Sequence, residues 1–253
     1  MTTQSFVNTI IKNNVAQINF YHYQKNSFTS QQLKDLEIAI KDLENNKKVT
    51  VIILKSEGNS VFCSGASFDE LLEVDSLEKG KMFFSGFANV INAMRKSSKI
   101  IVTRIQGKTV GGGVGLVCAS DYAVCTSSSA FKLSEIAIGI GPFVIEPAVS
   151  KKIGKNAMMQ MTLEPTEWKN STWALNQNMV NKIFQNEDEM DQYLEEYTSI
   201  LSSYSPEGLQ AMKKVYWEDS NHWDTLLTER AQISGRLVLS DFTVNALNKF
   251  KNK

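Results

Sequence analysis

The chain has 253 residues, and its 27 Lys and Arg balance 27 Asp and Glu, so the formal net charge is zero. Nucleic-acid-binding proteins usually present a basic face and a high pI, so this balance argues against a nucleic-acid partner. Three cysteines without zinc-type spacing and two histidines exclude a Cys/His-rich metal site and favour a reducing compartment. The sequence shows no signal-peptide pattern and no apolar run of membrane-spanning length, so we expect a cytoplasmic protein without a membrane partner.

The first fifth of the chain predicts a hairpin, a helix and a buried strand. Phe6–Ile11 and Val15–Phe20 alternate apolar and polar residues around an Asn-Asn turn, which is typical of a β-hairpin. Ser30–Leu43 has apolar residues at helical spacing. Val49–Leu54 is a continuous apolar run, as expected for a strand that is buried on both faces.

The next segments continue this alternation. We expect a loop at Lys55–Ser67, a helix at Leu77–Lys96 and a buried strand at Ile100–Ile105. A helix that opens on glycines follows at Gly111–Ala119, and a short strand at Tyr122–Cys125. Strands that alternate with helices predict an α/β protein with a mostly parallel sheet.

The composition changes after about Ile145, and we expect the remaining chain to be helical throughout. The predicted helices are Thr166–Asn176, Glu189–Ser202, Pro206–Trp217 and Thr225–Leu239. The last region carries the apolar residues Leu226, Leu227, Ile233, Leu237 and Leu239. These are more than one solvent-exposed face would hold, so the region is expected to cap the protein or to assemble it.

Three common catalytic signatures are absent. Val102 stands where a phosphate-binding P-loop ending at Gly107-Lys108-Thr109 needs its first glycine. Leu116 occupies the last position of the dinucleotide-binding fingerprint, and no Gly-x-Ser-x-Gly elbow exists. Nucleotide-binding and serine-hydrolase functions are therefore disfavoured.

Two glycine-containing turns follow the two predicted buried strands, at residues 62–67 and 110–113. Ligands of open α/β sheets bind outside the carboxyl ends of the strands. Two such turns can each aim one backbone N–H at a common point, which makes an oxyanion hole, and a helix N-terminus adds positive potential there. The alternative, that tight turns simply require small residues, stays open at this point.

Three ordered blocks carry a resemblance to a known family. They are Phe62-Cys63-Ser64-Gly65-Ala66, then Gly107 with Gly111-Gly112-Gly113, then Ser134-Glu135-Ile136 with Gly139 and Pro142. In order and spacing they resemble the crotonase (enoyl-CoA hydratase/isomerase) superfamily from about Ala16 to the C-terminus. The resemblance implies a crotonase-like α/β fold of repeated ββα units with a helical C-terminal region. It also implies an acyl-CoA-binding core at residues 1–190, a trimerisation and capping region at 191–253, and a homotrimer or dimer of trimers.

The same resemblance assigns roles to individual residues. The backbone N–H groups of Ala66 and Gly112 would hold the thioester oxygen of an acyl-CoA, which would be the substrate, with no separate cofactor and no metal. The implied substrate-binding positions are Lys25, Ser64, Ala66, Phe68, Gly111, Pro142, Phe250 and Lys253. Lys25 could equally be an ordinary solvated lysine. Phe83, Phe84 and Phe87 could line an acyl tunnel, although their helical spacing suits an ordinary core as well.

The sequence departs from the family pattern at one of the two catalytic glutamates. Hydratases of the family typically carry one glutamate just after the glycine turn and a second further along. The second matches Glu135, but Gly115 stands at the first position. Glu135 precedes an apolar segment, so we expect dry surroundings and a raised pKa, with a helix cap or a solvated loop as the alternative. Glu146 is a candidate for a second carboxylate.

A single carboxylate favours double-bond isomerisation over hydration. Isomerisation needs one base that removes a proton from the α-carbon and returns it to the γ-carbon. Adding water needs one group to activate the water and another to deliver a proton, so 2-enoyl-CoA or methylglutaconyl-CoA hydration is the alternative. Decarboxylation of a carboxylated acyl-CoA and a non-catalytic acyl-CoA-binding role also stay open. A hydrophobic side chain above Gly115 would favour isomerisation, and a water held by Glu135 and Glu146 would favour hydration.

Overall fold

A computed structural model describes the backbone of residues 5–251 and the side chains of residues 5–249. The strands are β1 Phe6–Lys12, β2 Val15–Tyr21, β3 Val51–Ser56, β4 Val61–Cys63, β5 Ile100–Ile105, β6 Lys108–Val110, β7 Tyr122–Thr126, β8 Ala130–Lys132, β9 Lys169–Asn170 and β10 Lys182–Phe184. The helices are α1 Ser30–Glu44, α2 Phe68–Leu72, α3 Leu77–Lys96, α4 Gly112–Ala119, α5 Glu146–Leu163, α6 Ser171–Asn176, α7 Glu187–Ser202, α8 Pro206–Trp217, α9 Trp223–Leu237 and α10 Asp241–Lys251. Two 3₁₀ turns lie at Glu135–Ile138 and Glu218–Ser220.

The larger sheet has the strand order β1-β2-β3-β5-β7-β10, and all its neighbours are parallel except the β1–β2 hairpin. The predicted hairpin is confirmed, and Asn13 takes the left-handed conformation that its turn requires (φ 56°). The predicted strand at 100–105 is confirmed, and all but its first residue are buried. Central parallel strands are buried on both faces, which explains their near-continuous apolar sequences.

A smaller sheet, with the order β4-β6-β8-β9, lies beside the first. Strands β4, β6 and β8 are parallel, and β9 pairs antiparallel to β8. The prediction of an uninterrupted loop at residues 55–67 was therefore wrong, because β4 lies within it. A three-residue strand is too short to show a periodicity in sequence.

The two sheets are built by a repeated ββα unit. The three units are β3-β4-α3 (with the short α2 inserted), β5-β6-α4 and β7-β8-α5. Each unit gives its first strand to the larger sheet and its second strand to the smaller one. The crotonase-like arrangement that the resemblance implied is confirmed.

The long helices follow their apolar stripes. Helix α1 begins after Thr29, whose hydroxyl accepts a hydrogen bond from the N–H of Gln32, and it buries Leu33, Leu36 and Ile40. Helix α3 has the bounds that its sequence pattern predicts. Replacing one of these fully buried leucines by alanine would cost about 2–5 kcal/mol of folding free energy.

The region after residue 145 is not helical throughout, because β9 and β10 interrupt it. Each short strand adds to the edge of a sheet: β9 pairs with β8, and β10 pairs with β7. Their two and three residues are too few to be recognised among polar links. The sequence division at 190/191 falls inside α7, where Met190 and Leu194 pack against the strands of the larger sheet.

Helix α9 packs across α3 within the same chain. At the crossing a Cβ on Gly80 would lie 2.8 Å from Gly235, so both positions need glycine for this close approach. Leu227 and Ala231 of α9 are fully buried in the main core. Part of the apolar stripe of the C-terminal region therefore packs against the core of the same chain. The trimer or dimer of trimers stays a prediction.

Candidate active site

Three turns meet at the carboxyl ends of the parallel strands β4, β6 and β8. A Cβ on Gly113 would lie 2.7 Å from Cβ of Cys63, so the turn after β4 packs directly on the start of α4. The N–H of Gly111 donates to the carbonyl of Lys132 at 3.0 Å, which joins the turns after β6 and β8. The two glycine turns are side by side, as predicted, but they follow the strands of the smaller sheet and not β3 and β5 directly.

The first candidate oxyanion donor is the backbone N–H of Ala66. Phe28 occupies the peptide groups on either side of it: its N–H donates to Gly65 O at 2.8 Å, and its carbonyl accepts from Ser67 N at 2.7 Å. Ala66 therefore directs its own N–H away from Phe28. Within the described part of the chain this N–H has no hydrogen-bond acceptor, so it is available to a ligand.

The second candidate donor is the N–H of Gly112, the first residue of α4. The first N–H groups of a helix have no acceptor inside it, and the helix dipole favours negative charge there. A Cβ on Gly112 would lie 2.2 Å from the ring of Phe87, so no side chain fits at this point. Gly111 precedes it with φ 55°, a conformation that favours glycine.

A cavity of about 170 Å³ opens between these turns, α3 and α9. Most of its wall is apolar, from Phe68, Leu71, Phe83, Phe84, Phe87, Val110, Ile138, Ile140, Phe143, Val144 and Ile145. The polar side chains in its wall are Ser64, Ser134, Glu135 and Ser234. Of the sequence-predicted positions, the structure brings Ser64, Ala66, Phe68, Gly111, Gly112, Glu135 and Pro142 to this cavity.

The three phenylalanines of α3 serve both roles that the sequence left open. All three line the cavity, and Phe83 and Phe87 are also buried in apolar clusters. Rings that pack on one edge and face a ligand space on the other make a rigid wall.

Glu135 is the ionisable side chain in this wall. It opens the 3₁₀ turn after β8, and its Oε2 atom is inaccessible to solvent and without a hydrogen-bond partner among the described residues. Its Oε1 atom would lie 3.0 Å from a Cβ on Gly111, so the missing side chain lets the carboxylate reach the turn. Burial raises the pKa of Glu135 to about 7, against smaller lowering contributions from the backbone N–H groups of Glu135 and Ser134.

The space beside Gly115 is filled by a hydrophobic side chain. A Cβ on Gly115 would lie 2.4 Å from Cγ2 of Ile145, which is buried and also lines the cavity. A glutamate at position 115 would have to displace Ile145. This contact joins two distant parts of the chain, so the sequence carried no signal for it.

Glu146 does not join Glu135 in the cavity wall. It is the first residue of α5, its Oε1 accepts from Ser150 Oγ at 2.7 Å, and its Oε2 lies 4.0 Å from a terminal nitrogen of Arg230. Its carboxylate is therefore engaged away from the lining of this cavity, and a role as a second carboxylate stays a prediction.

Lys25 is exposed on the loop after β2, in a left-handed conformation (φ 54°). This loop is fastened beside the first turn, since Ser64 Oγ donates to Gln24 O at 3.3 Å and Asn26 Nδ2 donates to Val61 O at 3.0 Å. The remaining implied CoA contacts are not described: Phe250 lies in α10 with its side chain outside the described residues, and Lys253 lies outside them altogether.

A family model described as enoyl-CoA hydratase/isomerase matches residues 10–246. The chain belongs to the enoyl-CoA hydratase/isomerase family. It is 24% identical over 230 residues to the short-chain-enoyl-CoA hydratase of Clostridium acetobutylicum, covering 90% of this chain and 87% of that protein. It is 36% identical over 120 residues to the mitochondrial methylglutaconyl-CoA hydratase of Mus musculus, covering 47% of this chain and 38% of that protein.

The fold is also that of a solved family structure. The crystal structure of enoyl-CoA hydratase from Bacillus halodurans superposes with a TM-score of 0.91 at 22% identity, covering 97% of this chain and all of that chain. Within the described residues no helix is long and apolar enough to cross a membrane. The described residues also contain no cluster of His, Cys, Asp and Glu side chains that could hold a metal ion.

Proposed function

We propose that this enoyl-CoA hydratase/isomerase family member moves the double bond of a 3-enoyl-CoA into conjugation with its thioester. The thioester oxygen would accept hydrogen bonds from the N–H groups of Ala66 and Gly112. Negative charge develops on that oxygen when the α-carbon loses its proton, so these donors stabilise the enolate more than the substrate. The dipole of α4 acts in the same direction.

Glu135 is the proposed base. Its carboxylate takes the proton from the α-carbon, and the resulting dienolate spreads its charge to the γ-carbon. The same carboxyl then returns the proton to the γ-carbon, which leaves the 2,3 double bond and regenerates the carboxylate. A carboxyl whose burial raises its pKa to about 7 is well suited to both steps near neutral pH, because both of its protonation states are accessible.

The observation that carries this proposal is the single ionisable group in the cavity wall. Among the described lining residues Glu135 alone ionises, and Ile145 fills the space beside Gly115. Water addition would need a second group, either to hold the water or to protonate the α-carbon. Glu146 does not serve here, because its carboxylate accepts a hydrogen bond from Ser150. Ile145 leaves no room for a carboxylate side chain at position 115.

Hydration is the second candidate, and the names of the relatives support it. The clostridial protein is named as a short-chain-enoyl-CoA hydratase and the mouse protein as a methylglutaconyl-CoA hydratase. Glu135 lines the cavity, where its carboxyl can meet a water bound beside the acyl-CoA. In that case one carboxyl would serve both as the base and as the proton donor.

Recognition of the CoA portion would fall to the loop that carries Lys25. Its ammonium group is exposed beside the turn that contains Ser64, where it can meet a phosphate. We include no separate cofactor and no nucleic-acid partner in this proposal, because proton transfer through an enolate needs neither.

The test compares both reactions in one absorbance assay of the conjugated thioester. Wild-type protein should convert a 3-enoyl-CoA to the 2-enoyl-CoA faster than it hydrates the latter. Glu135→Gln should keep acyl-CoA binding and lose at least ~10²–10⁴-fold in rate, since proton transfer is the reaction itself. Glu146→Gln is the matched control and should keep full activity. Fast hydration in wild type would move the assignment to the second candidate, and full activity in Glu135→Gln would remove Glu135 from it.

A further inference from the structure

Ser234 is a buried hydroxyl in the cavity wall without an established role. It lies on the inward face of α9, one residue before the glycine at the α3–α9 crossing. The residue is 1% exposed, and the space it faces is the cavity. Its Oγ makes no hydrogen bond among the described residues, and it is not one of the polar atoms that are closed off from solvent, so it opens onto the cavity.

Three other hydroxyls on helices of the described chain have partners in their own helix. Thr162, Thr198 and Thr228 each donate to the carbonyl four residues earlier, at 2.7–3.0 Å. This is the usual arrangement for Ser and Thr inside helices. Ser234 makes no such bond to the carbonyl of Arg230, so its hydroxyl is available toward the cavity.

A buried polar group without a partner costs folding free energy, and native proteins almost always satisfy such groups. The part of α3 that lines the cavity presents Phe83, Phe84 and Phe87, and these side chains offer the hydroxyl no acceptor. A ligand in the cavity can supply the acceptor.

The chemistry of the wall defines that acceptor as neutral. No Lys, Arg or His lines the cavity among the described residues, and its one charged group is the carboxylate of Glu135. A carboxylate at the end of an acyl chain would meet a negative charge and no counter-ion. A hydroxyl or keto oxygen needs only a hydrogen-bond donor.

We propose that Ser234 determines specificity by donating a hydrogen bond to a neutral oxygen carried by the acyl chain of the substrate. This inference rests on the proposed function, because it requires an acyl-CoA in this cavity. Ser234 is on α9, whereas the thioester oxygen is held by the turns after β4 and β6. The oxygen that it contacts is therefore on the acyl chain and not on the thioester.

The experiment uses acyl-CoAs that differ by one terminal group. The first pair is 4-hydroxybutyryl-CoA and valeryl-CoA, and the second is 5-hydroxyvaleryl-CoA and hexanoyl-CoA. Within each pair a hydroxyl replaces a methyl group of similar size. The two acyl-chain lengths place that group at two depths in the cavity. Dissociation constants are measured by calorimetry for wild type, Ser234→Ala and Thr228→Ala. Thr228 is on the same helix, but it is exposed and bonded to its own helix.

For at least one pair, Ser234→Ala should raise the dissociation constant of the hydroxylated ligand by about tenfold. The dissociation constant of the alkyl ligand should change by less than about twofold. Thr228→Ala should change neither. Equal effects of Ser234→Ala on both members of each pair, or no effect at all, would overturn the proposal, because a merely structural serine or one that holds only water would behave in that way. Failure of wild type to bind valeryl-CoA or hexanoyl-CoA would instead contradict the proposed function.

Discussion

Replacing Glu135 by glutamine should make the protein more stable at high pH. The carboxylate is buried against Gly111 in an apolar wall, with Oε2 inaccessible and unpartnered within the described residues. Folding at high pH therefore confines an ionised group where water cannot solvate it. Glutamine is nearly isosteric and stays neutral, so it removes this penalty while keeping the shape of the wall.

The magnitude follows from the change in pKa. Burial raises the pKa of Glu135 from 4.5 to about 7, and each unit corresponds to ~1.4 kcal/mol. The folded state binds the proton more tightly than the unfolded state, so the free energy of unfolding of wild type falls as the pH rises between these two values. Below about pH 4.5 both states are protonated, and the variant gains nothing from this source. Above about pH 7 both are ionised, and the variant should be more stable by about 3.5 kcal/mol.

Urea denaturation at fixed protein concentration across about pH 5 to 8 measures this difference. The advantage of Glu135→Gln over wild type should grow with pH and level off above neutrality. Glu146→Gln is the control, since Glu146 is half-buried and bonded to Ser150, and it should show no such gain. A difference that does not depend on pH, or a glutamine variant that is less stable at about pH 8, would mean that the carboxylate is solvated and the reasoning is wrong.

Three further predictions concern the reaction and its ligand. Because the base must be ionised, kcat/KM should rise with pH and level off above about pH 7, and a flat steady-state profile from about pH 5 to 8 would exclude Glu135 as the base. Gly112→Ala would place a methyl group 2.2 Å from the ring of Phe87. It should lower the rate about 10²–10³-fold and destabilise by about 1–3 kcal/mol, which rate and urea measurements check; wild-type rate in this variant would remove Gly112 from the oxyanion hole. Lys25→Ala should weaken the binding of free CoA at low salt and much less at high salt, because exposed charge pairs are screened. Calorimetry measures both affinities, and an equal loss at both salt concentrations would show that the contact is not electrostatic.

The elements that could be predicted from the sequence are those long enough to show a period. Helix α3 and strand β5 have their predicted bounds because many turns or residues share one apolar pattern. Strands β4, β6, β9 and β10 have two or three residues each, and only pairing with a neighbour makes them strands. The functional turns follow two of these short strands, so the sequence placed the turns correctly but attached them to the wrong sheet.

Some residues of the candidate site could likewise be predicted from the sequence, whereas others are placed by contacts between distant parts of the chain. Glu135 could be predicted from the sequence, because it stands in a motif that resembles the family's, although Ile136 directly after it is 42% exposed. Ile145 could not, because its contact with Gly115 depends on how α5 packs against α4. Ser234 is contributed by α9, far along the chain, and one serine in an amphipathic helix carries no signal of its own. Glu146 shows the converse, because its position in sequence beside Ile145 did not determine where its carboxylate points.

The ββα repeat explains how the chemistry can change while the fold stays the same. Each unit ends its second strand at one edge of the smaller sheet, and the three turns there supply Ala66, Gly112 and Glu135. Two of these contributions are backbone N–H groups, so they depend on the fold and not on side-chain identity. The side chain at position 115, one turn into α4, is not needed for the oxyanion hole, so it can be lost without disturbing it. With glycine there and Ile145 packed into the space, the proposed oxyanion hole would still stabilise an enolate, and Glu135 would be the one carboxyl among the described lining residues that could move protons. Under the proposed function, this arrangement favours proton transfer between two carbons of the same acyl chain over the addition of water.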